Sequence, residues 1–149
     1  MAGDARGATI AHTEYLTIRT PERYEIRDIT EEVERVRAAA GLWDGYVLVS
    51  TMHITSSIFV NDHESGLWQD IMTWLEGLAP FGKDYRHHLT GEDNADAHLK
   101  RRVLGHQVLI PVTNGALDLG PWERVHYGEF DGMRAKRVLL KAFGLERAP

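Results

Sequence analysis

The chain has 149 residues, of which 43% are hydrophobic and 26% are charged, so it can bury a core as one domain and is not expected to be disordered. Its net charge of -5 argues against non-specific nucleic-acid binding, and the lack of cysteine excludes disulfides, thiolate metal ligands and cysteine nucleophiles. The N-terminus lacks the apolar core of a signal peptide, and no apolar run is long enough to cross a bilayer. We therefore expect a soluble cytoplasmic protein that binds neither nucleic acid nor membrane.

The first two thirds of the chain predict alternating strands and helices. Residues 1–8 are small and polar and are predicted to be flexible, which leaves residues 9–149 as the single domain. Strands are predicted at residues 12–19, 24–29, 45–53 and 57–60. Helices are predicted from Thr30, as N-cap, to Gly41, from Asn61 or Asp62 to Pro80, and over residues 93–104.

The last third predicts strands only. Asn114-Gly115 is a strong hairpin signal, and it separates a strand at residues 106–112 from three more at residues 116–119, 122–130 and 134–142. Strands joined by tight turns favour antiparallel pairing. We therefore predict an α+β fold, in which a mainly antiparallel sheet or sandwich carries about three helices.

The segment Glu129-Phe-Asp131-Gly-Met-Arg134 places two acids two residues apart and follows them with a glycine and a basic residue. Residues i and i+2 of a strand point to the same face, so these two carboxylates are expected side by side. Adjacent carboxylates repel each other unless a cation, a shared proton or an arginine lies between them. The segment therefore predicts either a functional site or a solvated strand edge with ion pairs.

Histidines near strand ends and loops are the second clue. His53 and Thr55 follow a strand with apolar neighbours and share a face, where they can bind a metal or an anion or simply hydrogen-bond. His87 lies in a predicted loop, where function is more common than packing. Asn94 and His98 are four residues apart and lie on one face at the start of a predicted helix.

The second predicted helix carries further polar candidates. Asn61 and Glu64 match a capping box, which satisfies two backbone amides, and we interpret them mainly in that way. The N-terminus of a helix also attracts anions, so a capping residue can line a site. Asp70 lies on the polar side of the same helix, where solvent exposure is expected.

Taken in order, these segments resemble the YjbQ-like family, which is often labelled secondary thiamine-phosphate synthase. The resemblance covers residues 10–143, and its specificity rests on the order of many short pieces. The sequence departs from the family pattern in two places. An insertion-like stretch, Leu-Thr-Gly-Glu, precedes Asn94, and Met133 stands where the family often has proline or arginine. The matching pieces are Asp28-Ile-Thr30, His53-Ile-Thr-Ser-Ser57, Asn61-Asp-His-Glu64 with Asp70, Tyr85-Arg-His87, Asn94-Ala-Asp-Ala-His98, Asn114-Gly115, Leu119-Gly-Pro-Trp122 and Glu129-Phe-Asp-Gly-Met-Arg134.

The resemblance implies a single α+β domain with a sandwich-like sheet arrangement, assembled as a homotrimer. It also implies an enzyme that joins a pyrimidine diphosphate to a thiazole phosphate and releases pyrophosphate. The family's recurrent polar residues map onto His53, Asn61, Glu64, Asp70, His87, Asn94, His98, Glu129, Asp131 and Arg134.

Our leading hypothesis is a small enzyme that acts on a phosphorylated or anionic metabolite with a divalent metal. In this hypothesis His53, His87 and His98 hold the metal, whose identity stays open among zinc, magnesium, nickel, manganese and iron. The catalytic candidates are Glu129 or Asp131 as base or further ligand, Arg134 as anion ligand, and Asn61 with Asp70. The candidates for holding the cofactor or anion are Thr55, Asn94 and Arg137.

Two alternatives stay open from the sequence. The same ligands can activate water for metal-dependent hydrolysis of phosphate esters or amides, because a bound metal lowers the pKa of water. The protein can also be a non-enzymatic trimer that binds a metal or a metabolite. Binding without turnover would favour the second alternative.

Overall fold

The computed structural model describes residues 7–149, so the flexibility predicted for residues 1–6 lies outside the described residues. The strands are β1 Thr9–Ile18, β2 Glu25–Asp28, β3 Leu42–Thr51, β4 Ser56–Asn61, β5 Gln107–Thr113, β6 Ala116–Leu117, β7 Arg124–Glu129 and β8 Lys136–Glu146. The helices are α1 Thr30–Ala40, α2 Ser65–Leu78 and α3 Ala95–Leu104, with a short 3-10 helix at Arg86–Thr90 where the sequence indicated a loop. The predicted α+β fold with about three helices is confirmed.

The strands form two antiparallel sheets. The larger sheet has the order β1-β8-β3-β5-β6, and the smaller has the order β2-β7-β4. Every pair in both sheets is antiparallel, as predicted. β7 lies at the centre of the smaller sheet, so its side chains are flanked on both sides.

The main core joins the two sheets to α1. Val47 of β3 and Leu140 of β8 are fully buried, and they belong to one cluster with Val33 of α1 and Tyr127 of β7. Alternate residues of β8 point inward, as the period of a strand requires. Lys136 occupies the first of these inward positions, and its side chain is fully buried.

Two predicted chain reversals are confirmed. Gly41 ends α1 in the left-handed conformation, with φ 68°, which glycine adopts without steric cost. Asn114 and Gly115 connect β5 to β6 with φ values of 51° and 75°. Two positive φ values in a two-residue turn match the right-handed twist of the flanking strands.

The predicted helix starts are wrong in detail. Ile29, and not Thr30, is the N-cap of α1, because the Thr30 hydroxyl accepts a hydrogen bond from the amide of Val125 in β7. Glu64 is the N-cap of α2, and its carboxylate accepts from the amides of Gly66 and Leu67. The predicted capping box is therefore absent there, and Asn61 instead ends β4.

Among residues 7–149, no helix combines the length and apolar character needed to span a membrane.

Candidate functional site

A buried cation, Lys136, contacts both acids of the Glu129 segment, one at its carboxylate and the other at its backbone carbonyl. Its ammonium group donates to the Glu129 carboxylate, to the Thr55 hydroxyl at 2.8 Å and to the backbone carbonyl of Asp131 at 2.8 Å. An ammonium group has three hydrogens, so Lys136 is fully satisfied. Glu129 is fully buried and also accepts from the hydroxyl of Tyr127 at 2.8 Å. Glu129 therefore positions Lys136 instead of facing a ligand.

Asp131 links three other segments of the chain. Its Oδ2 accepts from Asn94 Nδ2 at 2.9 Å and from Arg134 Nη2 at 3.1 Å. Its Oδ1 lies 3.8 Å from Arg23 Nη1. Asp131 is 3% exposed, so it holds the side chains of Asn94 and Arg134 from the interior of the protein.

Six of the predicted site residues meet at one small cavity of about 280 Å³. They come from the β3–β4 loop, the 3-10 helix, the start of α3 and the β7–β8 loop, so the fold and not local sequence assembles them. We call this space the histidine cavity. It is lined by His53, Ile54, Thr55, His87, Glu92, Asn94, His98 and Arg134.

The hydrogen bonds of His53 determine its neutral tautomer. Its Nδ1 accepts from the amide of Thr55 at 3.3 Å and lies 2.8 Å from the Thr55 hydroxyl. An amide can only donate, so Nδ1 carries the lone pair and the proton resides on Nε2. Burial, followed by the charge of Lys136, lowers the pKa of His53, so the ring is neutral at pH 7. His53 therefore presents an N–H donor to the cavity.

Asn94 places a buried acceptor in the wall of the cavity. The carboxylate of Asp131 can only accept, so the contact between the two side chains fixes the orientation of the Asn94 amide. The opposite atom, Asn94 Oδ1, is buried and has no hydrogen-bond partner among the described residues. A buried acceptor without a partner is costly, so this atom requires an explanation. A ligand that carries an N–H or O–H group would satisfy it.

His87 and His98 form the far wall. Their ring centroids are 4.7 Å apart and their planes are nearly perpendicular. Burial, followed by the nearby His87, lowers the pKa of His98, so this ring also is neutral at pH 7. Both residues line a second cavity of about 460 Å³, whose other walls include Ala95 and Leu99. The two rings therefore stand between two cavities, of which the second is the more apolar.

The predicted metal set of His53, His87 and His98 fits only in part. Within residues 7–149, these three are not among the groups whose ligand atoms all lie within 4.8 Å of one another. His53 would also have to give up the Thr55 amide to ligate through either nitrogen. Neither His87 nor His98 has such a constraint, and their rings are in contact.

Besides Glu129 and Asp131, three of the predicted catalytic and cofactor-binding residues do not line the histidine cavity. Asn61 accepts from the amide of Asp62 at the end of β4, and Asp70 is exposed on α2. Arg137 is exposed on β8 and stacks on the ring of Tyr15 at 4.9 Å. Neighbouring residues of a strand point to opposite faces, so the burial of Lys136 places Arg137 on the other side.

The sequence analysis missed Lys136 as a member of the site. The available signal was the alternation of Lys136 with Val138, Leu140 and Ala142, which puts a lysine on the buried face of a strand. A second buried lysine, Lys100 of α3, was also missed. It donates to Asp96 at 2.6 Å and to Glu76 of α2 at 2.8 Å, and so holds the two helices together beside the cavity.

Comparison with known proteins gives matches over most of the chain. A family model described as UPF0047 protein YjbQ-like matches residues 14–145. A UPF0047 protein of Archaeoglobus fulgidus is 47% identical over 127 residues, which are 85% of this chain and 98% of the relative. The UPF0047 protein YugU of Bacillus subtilis is 32% identical over 130 residues, which are 87% of this chain and 97% of the relative.

Solved structures agree with the fold. A YbjQ-like protein of unknown function from Sulfolobus solfataricus has a TM-score of 0.87 and 30% identity, covering 92% of this chain and 99% of its own. A hypothetical protein from Aeropyrum pernix K1 has a TM-score of 0.85 and 32% identity, covering 91% of this chain and 99% of its own. These descriptions name no substrate.

Proposed function

Because this chain belongs to the UPF0047 YjbQ-like family, we propose that it is an enzyme that binds a small phosphorylated or anionic metabolite in the histidine cavity. The observation that carries the proposal is the chemistry of the lining. The cavity offers the Nε2–H of His53 and the guanidinium of Arg134 as donors, and the buried Oδ1 of Asn94 as an unpaired acceptor. This set is complementary to a ligand that has an anionic group and an N–H or O–H donor.

The fixed tautomer of His53 supports a catalytic and not only a binding role. A neutral imidazole that donates through Nε2 can stabilise negative charge on an oxygen without carrying a positive charge itself. The guanidinium of Arg134 is held by Asp131 and remains half exposed at the cavity. Together they would stabilise charge that develops on a departing phosphate or diphosphate.

His98 is the candidate for moving a proton. Its ring is partly buried, neutral at pH 7 and free of the amide contact that fixes His53. Thiamine-phosphate synthase-like transfer, in which pyrophosphate departs, is the finer form of the proposal and fits this arrangement of donors. Metal-dependent hydrolysis of phosphate esters or amides is the second candidate, and the contact between His87 and His98 favours it.

A divalent metal would be held by His87 and His98. When bound there, it would polarise a phosphoryl oxygen or activate water. The roles of His53, Asn94 and Arg134 described above do not depend on it.

The homotrimer also remains a proposal. The outer face of the larger sheet carries Tyr15, Tyr46, Leu109 and Phe143, each about half exposed. Tyr46 and Phe143 are register partners on adjacent strands, so these apolar side chains are contiguous. Contiguous exposed apolar surface is typical of an association face. A trimeric scaffold without activity would use the same face.

The test compares two arginines of the same region. Arg134→Ala should weaken binding of pyrophosphate by about 10- to 100-fold, the range expected when a hydrogen bond to a charged group is lost. Arg137→Ala, which removes an arginine outside the cavity, should leave the affinity unchanged. Calorimetry with pyrophosphate and with inorganic phosphate gives the affinities, and light scattering on the same samples gives the assembly state.

Turnover is measured on the same proteins with phosphate esters, amides and the diphosphate substrate pair, with and without Zn²⁺ or Mg²⁺. Release of pyrophosphate supports transfer, and release of phosphate or amine supports hydrolysis. Binding without turnover would instead favour the non-enzymatic trimer. Equal losses of pyrophosphate affinity in the two arginine variants would contradict the placement of the site at the histidine cavity.

A further inference from the structure

A second group of imidazole and carboxylate side chains lies on the smaller sheet and shares no residue with the lining of the histidine cavity. Asp28 of β2 and His126 of β7 are register partners, so their side chains lie side by side on one face. His63 follows β4 in the loop before α2, and its Nδ1 lies 3.5 Å from Asp28 Oδ2. One ligand atom of each residue lies within 4.8 Å of the other two. We call these three residues the Asp28 cluster.

His126 is the most informative member. It is fully buried, and neither of its ring nitrogens has a hydrogen-bond partner among the described residues. Buried polar atoms are nearly always paired, so two orphan nitrogens on one ring require an explanation. A metal ion would use one of these lone pairs, because neutral imidazole is a common metal ligand.

Aromatic neighbours hold the imidazoles in place. The ring of His126 stacks on Phe59 at 5.1 Å and on His63 at 5.7 Å, and Trp68 meets both histidine rings edge-on. The two imidazole planes are only 13° from parallel. Packing therefore fixes the buried ring of His126, while the half-exposed ring of His63 has to rotate before the in-plane lone pairs of both rings can meet at one ion.

The surroundings favour a cation. Asp28 and His63 line a cavity of about 510 Å³, and the fully buried His126 lies behind them. The lining also includes the carboxylates of Glu31, Glu32 and Asp62 and the guanidinium of Arg124. Glu32 also pairs with Arg35, and the four carboxylates still outnumber the two arginines, so this space has a net negative charge when the histidines are neutral. Such a cavity concentrates cations near its wall.

We propose that Asp28, His63 and His126 bind one divalent transition-metal ion, with its remaining coordination positions open to the adjacent cavity. Two imidazoles and one carboxylate are a ligand set that suits zinc, cobalt, iron or nickel rather than magnesium or calcium. Bonds of about 2.1 Å around a tetrahedral ion place neighbouring ligand atoms about 3.4 Å apart. Rotation of His63, whose side chain is 45% exposed, can close the remaining gap.

Arg124 is the internal competitor for this ion. Its Nε donates to Asp28 Oδ2 at 2.6 Å, while Asp28 Oδ1 accepts from the amide of Thr30 at 2.8 Å. The ion must therefore displace Arg124 from Oδ2. The side chain of Arg124 is 40% exposed, so it can move into solvent without a buried charge being left behind. Removing the arginine should consequently tighten metal binding.

The test uses protein purified without nickel affinity, stripped with a chelator and titrated with Zn²⁺ by calorimetry and with Co²⁺ by visible absorption. His126→Phe and His63→Ala should each abolish one equivalent of binding, weakening affinity by more than about 100-fold, the upper value for loss of an outer-shell partner. Arg124→Gln should bind Zn²⁺ more tightly than the wild type. His126→Phe keeps an aromatic ring in the stack, and His63→Ala changes a surface residue, so at least one of the two variants is expected to fold.

His98→Ala is the control that separates this site from the histidine cavity. It should retain the equivalent that His63→Ala loses, whether or not a metal also binds at the cavity. If His63→Ala and His126→Phe titrate like the wild type, the proposal is wrong. Loss of all binding in His98→Ala alone would likewise assign the metal to the other site. Unchanged affinity in Arg124→Gln would contradict displacement of that arginine.

Discussion

Lys136 beneath the histidine cavity and His126 in the Asp28 cluster are both buried, but the structure satisfies the polar atoms of only one of them. Beneath the cavity, Lys136 gives all three of its hydrogens to Glu129, Thr55 and the carbonyl of Asp131. In the cluster, His126 is equally buried and uses neither nitrogen. Burial alone therefore does not identify a binding atom. The informative atom is the one that the surrounding structure leaves without a partner.

Removal of the buried cation is expected to have the largest effect on stability. Lys136→Met leaves the carboxylate of Glu129 buried without its counter-charge, and we expect a loss of about 3–5 kcal/mol in the free energy of unfolding. Urea denaturation monitored by circular dichroism measures it. Lys141→Met, which removes an exposed lysine from the same strand, is the matched control and should be nearly neutral. Equal effects in the two variants would refute the special role of Lys136.

A smaller change tests the link between Lys136 and His53. Thr55→Val keeps the side-chain shape but removes the hydroxyl that accepts from Lys136 and contacts His53 Nδ1. We expect a loss of about 1–3 kcal/mol, the cost of a buried donor left unsatisfied. Nitrogen NMR of the His53 ring should show a less pure Nε2–H tautomer. Thr17→Val on the exposed face of β1 supplies the control for the strand environment, and a His53 tautomer identical to wild type would argue against the link.

The smallest effect on stability is expected for His126, whose ring nitrogens have no partner among the described residues. In metal-free protein, His126→Phe should change the free energy of unfolding by no more than about 1 kcal/mol and can even raise it, because it removes two unpaired polar atoms from an aromatic stack. Chemical denaturation in the presence of a chelator measures this. A loss as large as that of Lys136→Met would show that His126 already has a stabilising partner.

Local sequence signals predicted the elements of the fold well. Gly41 and Asn114-Gly115 mark chain reversals because the left-handed conformation restricts residue choice, and both predictions are confirmed. The capping residues were harder to predict. The Asn61 and Glu64 box failed because Glu64 reaches forward to the amides of its own helix, which the spacing alone does not distinguish.

Of the candidate site, the sequence predicted only residues that line the histidine cavity or lie next to it. His53, His87 and His98 were expected to come together, and the fold brings them to one lining, while their service as metal ligands stays a prediction. Lys136 was missed because its partners lie in other strands and loops. The Asp28 cluster was missed for a related reason: the pairing of Asp28 with His126 depends on sheet register, which no short stretch of either strand specifies.

One consequence of the shared wall formed by His87 and His98 concerns ligand size. These two rings separate the compartment of about 280 Å³ from the neighbouring one of about 460 Å³. Rotation of either imidazole about its Cα–Cβ bond would connect the two cavities. A ligand with a charged group and an apolar extension would then occupy both cavities. Selectivity would depend on the length of the extension as well as on the charged group.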